Sequence, residues 1–260
     1  MSGTKILVFG DDSSPGADVA WSWVRAQAWP GWRAEVVTAV MPPIGPPPDA
    51  ADSTPHAWEP PVPRLAPSSE FADIVHLLAD ADPRYVLGER VDAALVVVGP
   101  TGVGFLKVLH LGSTTDHLVH HPPAPLLIAR NDRPVRRVLA AIDGSDHAQY
   151  AVEKLAAMPW FANVESVAVV MVSDDDAGAT EVLERASAVL GGVSVRTQRL
   201  PSAESKAEAI LAAADVESVD LVVVGTRGVG PLQRLLAGST ATAIVERAPC
   251  SVLMARVDAD

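Results

Sequence analysis

The sequence is short of several things, and each shortage closes a class of proteins. A single cysteine, Cys250, excludes an intramolecular disulfide framework. No apolar run approaches the roughly 18 residues that span a bilayer, and the opening MSGTKILVFGDD turns acidic after one short apolar run, as expected for a first strand and not a secretory signal. Basic residues are scarce: 20 Lys and Arg against 32 Asp and Glu leave a net charge of −12. Such a surface repels phosphate backbones and anionic lipid, so neither nucleic acid nor membrane is an expected partner. Cytoplasmic localisation is the resulting expectation. With 18 Gly and 22 Pro in 260 residues, a fibrous or disordered chain is also excluded.

What the sequence does hold is one glycine-rich segment, twice. LVVVGPTGVGFLKVLHLGST begins at Leu95 and LVVVGTRGVGPLQRLLAGST at Leu221, with 13 of the 20 paired residues identical. The repeat divides the chain into domains of ordinary size, 1–132 and 136–260, joined by the polar stretch NDRPVR at Asn131 to Arg136. So short a tether predicts that the two pack together as a pseudo-dimer.

Both halves open on a basic residue, an apolar run and an aspartate, ending at Asp11 and Asp143. Helices are expected over Ala17 to Ala28 and Ala148 to Met158, and second strands over Arg33 to Met41 and Val164 to Val172. The second half then alternates: helix near Thr180 to Leu190, strand Val193 to Leu200, helix Glu204 to Ala214, strand Asp220 to Gly225. Alternation of this kind implies an α/β fold, each domain an open five-stranded parallel sheet with helices on both faces. In the first half, ten prolines between Pro42 and Pro67 forbid the corresponding helix and predict an irregular loop. Phe71 to Asp80 fits either element and is assigned as a strand, with a helix start after Asp82-Pro83. From the strand-one aspartate to the glycine segment there are 84 residues in the first half (95 − 11) and 78 in the second (221 − 143).

The glycine segments carry the candidate chemistry. Each reads Gly-x-x-Gly, nine residues, Gly-Ser: Gly99, Gly102, Gly112, Ser113, and Gly225, Gly228, Gly238, Ser239. Glycine lets a ligand lie on the turn with no Cβ in its way, and a helix opened by the later Gly-Ser aims free N–H groups at the same point. The pattern is a phosphate cradle. It is not a Walker A loop, which needs lysine before the Ser, nor the dinucleotide fingerprint, which follows a first strand. The structural alternative, that the glycines serve only tight packing, is weakened by the duplication.

These segments, with Asp11-Asp12-Ser13, Asp143-Gly144-Ser145 and the Ala-Pro-Cys-Ser-Val-Leu run around Cys250, resemble the universal stress proteins in a tandem two-domain form, over nearly the whole chain. The resemblance implies an adenine-nucleotide α-hydrolase-like fold, with sheets paired through their last strands, here Leu126 to Arg130 and Val252 to Arg256. It also implies ATP or another adenine nucleotide as ligand, with Mg2+ or Mn2+. By the same resemblance the motif glycines with Ser113, Thr114, Thr115, Ser239 and Thr240 meet phosphate, Asp11 and Asp143 meet the nucleoside, and the backbone of Val40 and Val172 meets adenine. Ala241 lacks the Thr115 hydroxyl, whereas Arg227 adds a cation that Pro100-Thr101 lacks, and Asp12 is an additional acid in the first half. The ranking that follows has both halves binding and the second binding more tightly.

Other features are assigned to structure. Metal binding at His117, His120 and His121, with His110 near, needs a carboxylate or another ligand to converge, and a helical wheel sets Asp116 elsewhere, so these read as a solvated face. Cys250 reads as a small buried hydrophobe, Trp21, Trp23, Trp29 and Trp32 as core and inter-domain packing, and Asp174-Asp175-Asp176 as a solvated loop. No Ser/His/Asp order or paired-carboxylate spacing marks a dedicated active site. The expectation is therefore a stress-linked regulator with an unidentified protein partner and at most weak ATP hydrolysis; further pairing into a homodimer stays open. The alternatives are an α-hydrolase-type enzyme with a second substrate pocket, and a scaffold with empty sites.

Overall fold

A computed structural model describes residues 4–39, 71–101, 111–201, 205–226 and 238–257. Val40, Gly102, His110, Arg227, Gly228 and the proline-rich Pro42 to Pro67 stretch lie outside them. In the first half the elements are β1 (Ile6–Gly10), α1 (Pro15–Ala26), β2 (Arg33–Ala39), β3 (Asp73–Ala79), α2 (Pro83–Gly88), β4 (Leu95–Val98), α3 (Ser113–His120) and β5 (Leu126–Ile128). The second half has β6 (Arg137–Ile142), α4 (Asp146–Ala156), β7 (Ser166–Val172), α5 (Asp176–Ser187), β8 (Ser194–Leu200), α6 (Lys206–Val216), β9 (Leu221–Gly225), α7 (Ser239–Arg247) and β10 (Ser251–Ala255). The ambiguous Phe71 to Asp80 segment is a strand, as assigned.

The ten strands among the described residues form one sheet in the order β3-β2-β1-β4-β5-β10-β9-β6-β7-β8. Within each half every pairing is parallel, and the two halves meet in one antiparallel pair, with Leu127 opposite Leu253. The inner strands β4 and β9 are wholly apolar because helices cover both faces, which removes the polar face an exposed sheet would need. On one face, α1, α4 and α5 pack with the tryptophans; on the other lie α2, α3, α6 and α7. Each of these helices follows a strand and so begins at that strand's carboxyl edge, which is where open α/β sheets bind ligands.

The seam is tied by more than its strands. Trp23 of α1 is fully buried and stands edge-on to Trp160 of the second half at 6.0 Å. Gln27, also buried, donates to the Arg133 carbonyl and accepts from Val135 N–H, both at 3.1 Å, so α1 holds the inter-half segment directly. Cys250 is buried beside the seam, and burial pushes its thiol pKa up to about 11. Among the described residues no helix is long and apolar enough to cross a membrane.

Candidate functional site

At the carboxyl end of β6, Asp143 accepts the Ser145 N–H at 3.0 Å. The tight turn so formed puts Gly144 at φ +83, and Ser145 then caps α4 by accepting Ala148 N–H at 3.2 Å. The first half builds the same turn from other residues. Asp12 accepts Ser14 N–H at 3.0 Å, Ser13 takes φ +59, and Ser14 caps α1 through Ala17 N–H at 3.1 Å.

The sheet register agrees with those turns. Leu7 pairs with Leu95, and Val138 with Leu221, so Leu7 and Val138 are counterparts; counting forward, Asp12 matches Asp143 and Asp11 matches Ile142. The sequence pairing of Asp11 with Asp143 is therefore corrected by one position. The acid without a counterpart is Asp11, which is 4% exposed, continues the ladder through its N–H to Val37 O at 2.9 Å, and accepts Ser13 N–H. The second-strand pair shifts likewise: Leu7 pairs with Ala34 and Val138 with Val167, so the counterpart of Val172 is Ala39, not Val40.

The glycine segments leave the sheet between these turns and the starts of α3 and α7. A Cβ on Gly99 would lie 2.6 Å from Gly16 O, and one on Gly225 would lie 2.5 Å from Ala148 N. The first glycine of each motif thus admits the N-terminus of α1 or α4 against the strand exit. Thirteen residues on, Gly112 N–H donates to Pro100 O at 2.8 Å and Gly238 N–H to Thr226 O at 2.6 Å, closing each loop onto its own base. Both helices begin there on a glycine cap with no side-chain bond to the first turn. The first-turn N–H groups of Ser113 and Thr114, and of Ser239 and Thr240, have no intrahelical acceptor and carry the positive end of the helix dipole.

The two cradles differ in what surrounds them. The Thr115 hydroxyl is buried and donates to Gly99 O at 2.8 Å, fastening α3 to its glycine turn; Ala241 makes no such bond. Thr226, 2% exposed, has a hydroxyl with no partner among the described residues, at the position of Pro100. In the first half, a side chain on Gly16 would collide with the Thr101 carbonyl, which also accepts from Ser14 Oγ at 3.3 Å. The second half has His147 at that place, its Nδ1 accepting from Val257 N–H at 3.0 Å.

Sequence reasoning read Asp12 only as an extra acid and missed Ala39; it marked the helix starts at Ser14 and Ser145 without assigning the capping bonds they make. The signal for Asp12 was the second serine at Ser14, which restores the Asp-x-Ser spacing when counted from Asp12. Two surface readings are also revised. Asp116 does meet one of the histidines, lying 3.7 Å from His120 Nε2 through the i,i+4 spacing. Asp175 is the N-cap of α5, accepting from Ala177 and Gly178 N–H.

A family model described as the universal stress protein family matches residues 85–130 and 134–256. A universal stress protein of Thermus aquaticus is 38% identical over 136 residues, covering 46% of this chain and 98% of that one. One from Mycolicibacterium smegmatis is 25% identical over 197 residues, 66% of this chain and 65% of that one. The crystal structure of a universal stress protein from Archaeoglobus fulgidus superposes with a TM-score of 0.68 at 19% identity, over 98% of this chain and 99% of that one.

Proposed function

This chain belongs to the universal stress protein family, and from that premise we propose that it binds ATP or another adenine nucleotide in its two glycine cradles and acts in stress-response regulation, not as a turnover enzyme. The observation that carries the reading is the pair of uncapped helix starts, each drawn against its glycine turn by Gly112 N–H to Pro100 O and Gly238 N–H to Thr226 O. Converging N–H donors on a chain of net charge −12 supply the local positive potential an anion needs. Asp12 and Asp143 follow β1 and β6, the strands paired with β4 and β9, and the nucleoside would sit beside them. Among the described residues no three His, Cys, Asp or Glu side chains gather to hold a metal, so Mg2+ or Mn2+ would be held chiefly by the phosphate oxygens.

The second cradle is the tighter one in this reading. It has the unpartnered Thr226 hydroxyl and, in its sequence, Arg227. The first has instead the extra acid Asp11 and a carbonyl, that of Thr101, directed at the start of α1. Neither set includes a base positioned on a water or a leaving group, which supports binding with at most weak hydrolysis.

Ser113→Glu and Ser239→Glu test the site and its ranking. Glutamate at a first-turn position suits the helix dipole, so folding is kept, while its charge repels phosphate. Calorimetric titration with Mg·ATP should show the larger loss for Ser239→Glu. Equal losses would refute the ranking, and unchanged binding in both variants would refute the site. Sustained multiple-turnover release of AMP and pyrophosphate would identify the α-hydrolase-type enzyme instead.

A further inference from the structure

The far end of α3 carries a cluster that the glycine cradles do not use. His117 lies in the last turn and His121 is the C-cap residue, four positions on, so both occupy one face. Their rings stack with centroids 4.9 Å apart, 28° from parallel. His121 Nδ1 is 3.2 Å from the His117 carbonyl oxygen. A carbonyl only accepts, so Nδ1 carries the proton and Nε2 of this exposed ring is left as a free lone pair. Tying one ring nitrogen to a backbone carbonyl is how proteins orient imidazole ligands and fix their tautomer.

The surroundings favour a cation. Asp82 and Asp116 both lie close enough to act on His117 electrostatically, and the carbonyl end of α3 adds negative potential. The opposing charge, Arg84, is engaged by Asp82 through Nε at 3.0 Å. His120, three positions on from His117, has its Nε2 at 3.7 Å from Asp116 instead.

We propose that His117 and His121 form a two-imidazole chelate for a late first-row divalent cation such as Zn2+, Ni2+ or Cu2+. Histidines at i and i+4 are the spacing with which one helix face holds a metal. Closure requires the His117 ring to turn out of the stack about χ2, a broad torsion for imidazole, while His121 keeps its Nδ1 tie. Among the described residues no third histidine, cysteine or carboxylate completes the set. The ion therefore keeps water in its remaining positions, and Cu2+ binds most tightly of the three. The site stands at the opposite end of α3 from Ser113 and does not rest on nucleotide binding.

The chain has seven histidines, so the test must separate this pair from the rest. Ni2+ and Cu2+ are titrated calorimetrically into the full chain at pH 7.5, without nucleotide, and into His117→Asn, His121→Asn, His120→Asn and His76→Asn. The first two variants should each weaken binding about tenfold or more, while the last two stay within about twofold of the parent. Cu2+ electron paramagnetic resonance should report two nitrogen ligands in the parent and one in either pair variant. Unchanged affinity in His121→Asn, whose exposed ring can be replaced without disturbing the core, would overturn the site. So would equal weakening in all four variants, or a single-nitrogen spectrum for the parent.

Discussion

The first helix of each half starts alike and ends differently. Ser14 and Ser145 cap α1 and α4 by the same bond, and both helices press their first turn against the leading glycine of a motif. Nine residues past the cap, α1 has Trp23 and α4 has Lys154. Trp23 is fully buried between Trp29, at 6.3 Å, and Trp160, at 6.0 Å, and these two are themselves counterparts, fifteen residues past their caps. Lys154 lies over its own neighbour Tyr150 at 4.5 Å. Thirteen past the cap, Gln27 grips the inter-half segment where α4 has Met158. A pseudo-two-fold has room for one tryptophan where symmetry would place two, so only one half can supply it. The lesson is that duplication fixed the cradle ends of the helices, while the seam forced the other ends apart.

The largest expected effect breaks that asymmetry. Trp23→Ala should cost about 3–5 kcal/mol in chemical denaturation, whereas Lys154→Ala should change stability by about 0.5 kcal/mol or less. Similar losses from both would mean that the seam is not held by α1. The next effect probes what the halves share. Gly99→Ala and Gly225→Ala each push a methyl to within 2.6 Å or less of backbone and should cost about 1–3 kcal/mol, with matching values in the two halves. Gly191→Ala, which meets nothing within 4 Å, is the control and should leave the midpoint near that of the parent.

The smallest effect belongs to the first half alone. Because the folded pKa of His117 lies below 6.5, the unfolded chain binds the proton more readily. Stability from this group is present above pH 6.5 and is lost as the pH falls through the folded value. His117→Asn should therefore flatten a shallow acid-side slope in the pH dependence of unfolding; the corresponding position of α7, Ala243, offers no such group. An unchanged slope would show that the ring is not desolvated in solution.

Strand and helix order was legible because the wholly apolar runs at Leu95 to Val98 and Leu221 to Val224, each followed by glycine, leave few alternatives to a buried parallel strand. The join of Leu126 to Ile128 with Val252 to Met254 was legible only through family resemblance, and its antiparallel sense only in the structure, since the outermost strand of a half looks the same whatever it pairs with. Pairing Asp11 with Asp143 failed by one residue because identity was matched instead of register. Hydrogen bonds from Ser14 to Asp12, and from Ser145 to Asp143, reveal the true counterparts, and no composition rule carries that information. The Trp23 to Trp160 contact was legible as packing between halves, though not as to which tryptophan makes it. Gly102, Arg227 and Gly228 lie outside the described residues and remain sequence expectations.

The central claim is that two similar but unequal cradles hold adenine nucleotide. Its most direct test is the native mass spectrum of the intact 27.2 kDa chain during titration with Mg·ATP. The account predicts a single-nucleotide adduct that fills first, followed at higher concentration by a second. A spectrum with no adduct at millimolar ATP would contradict it.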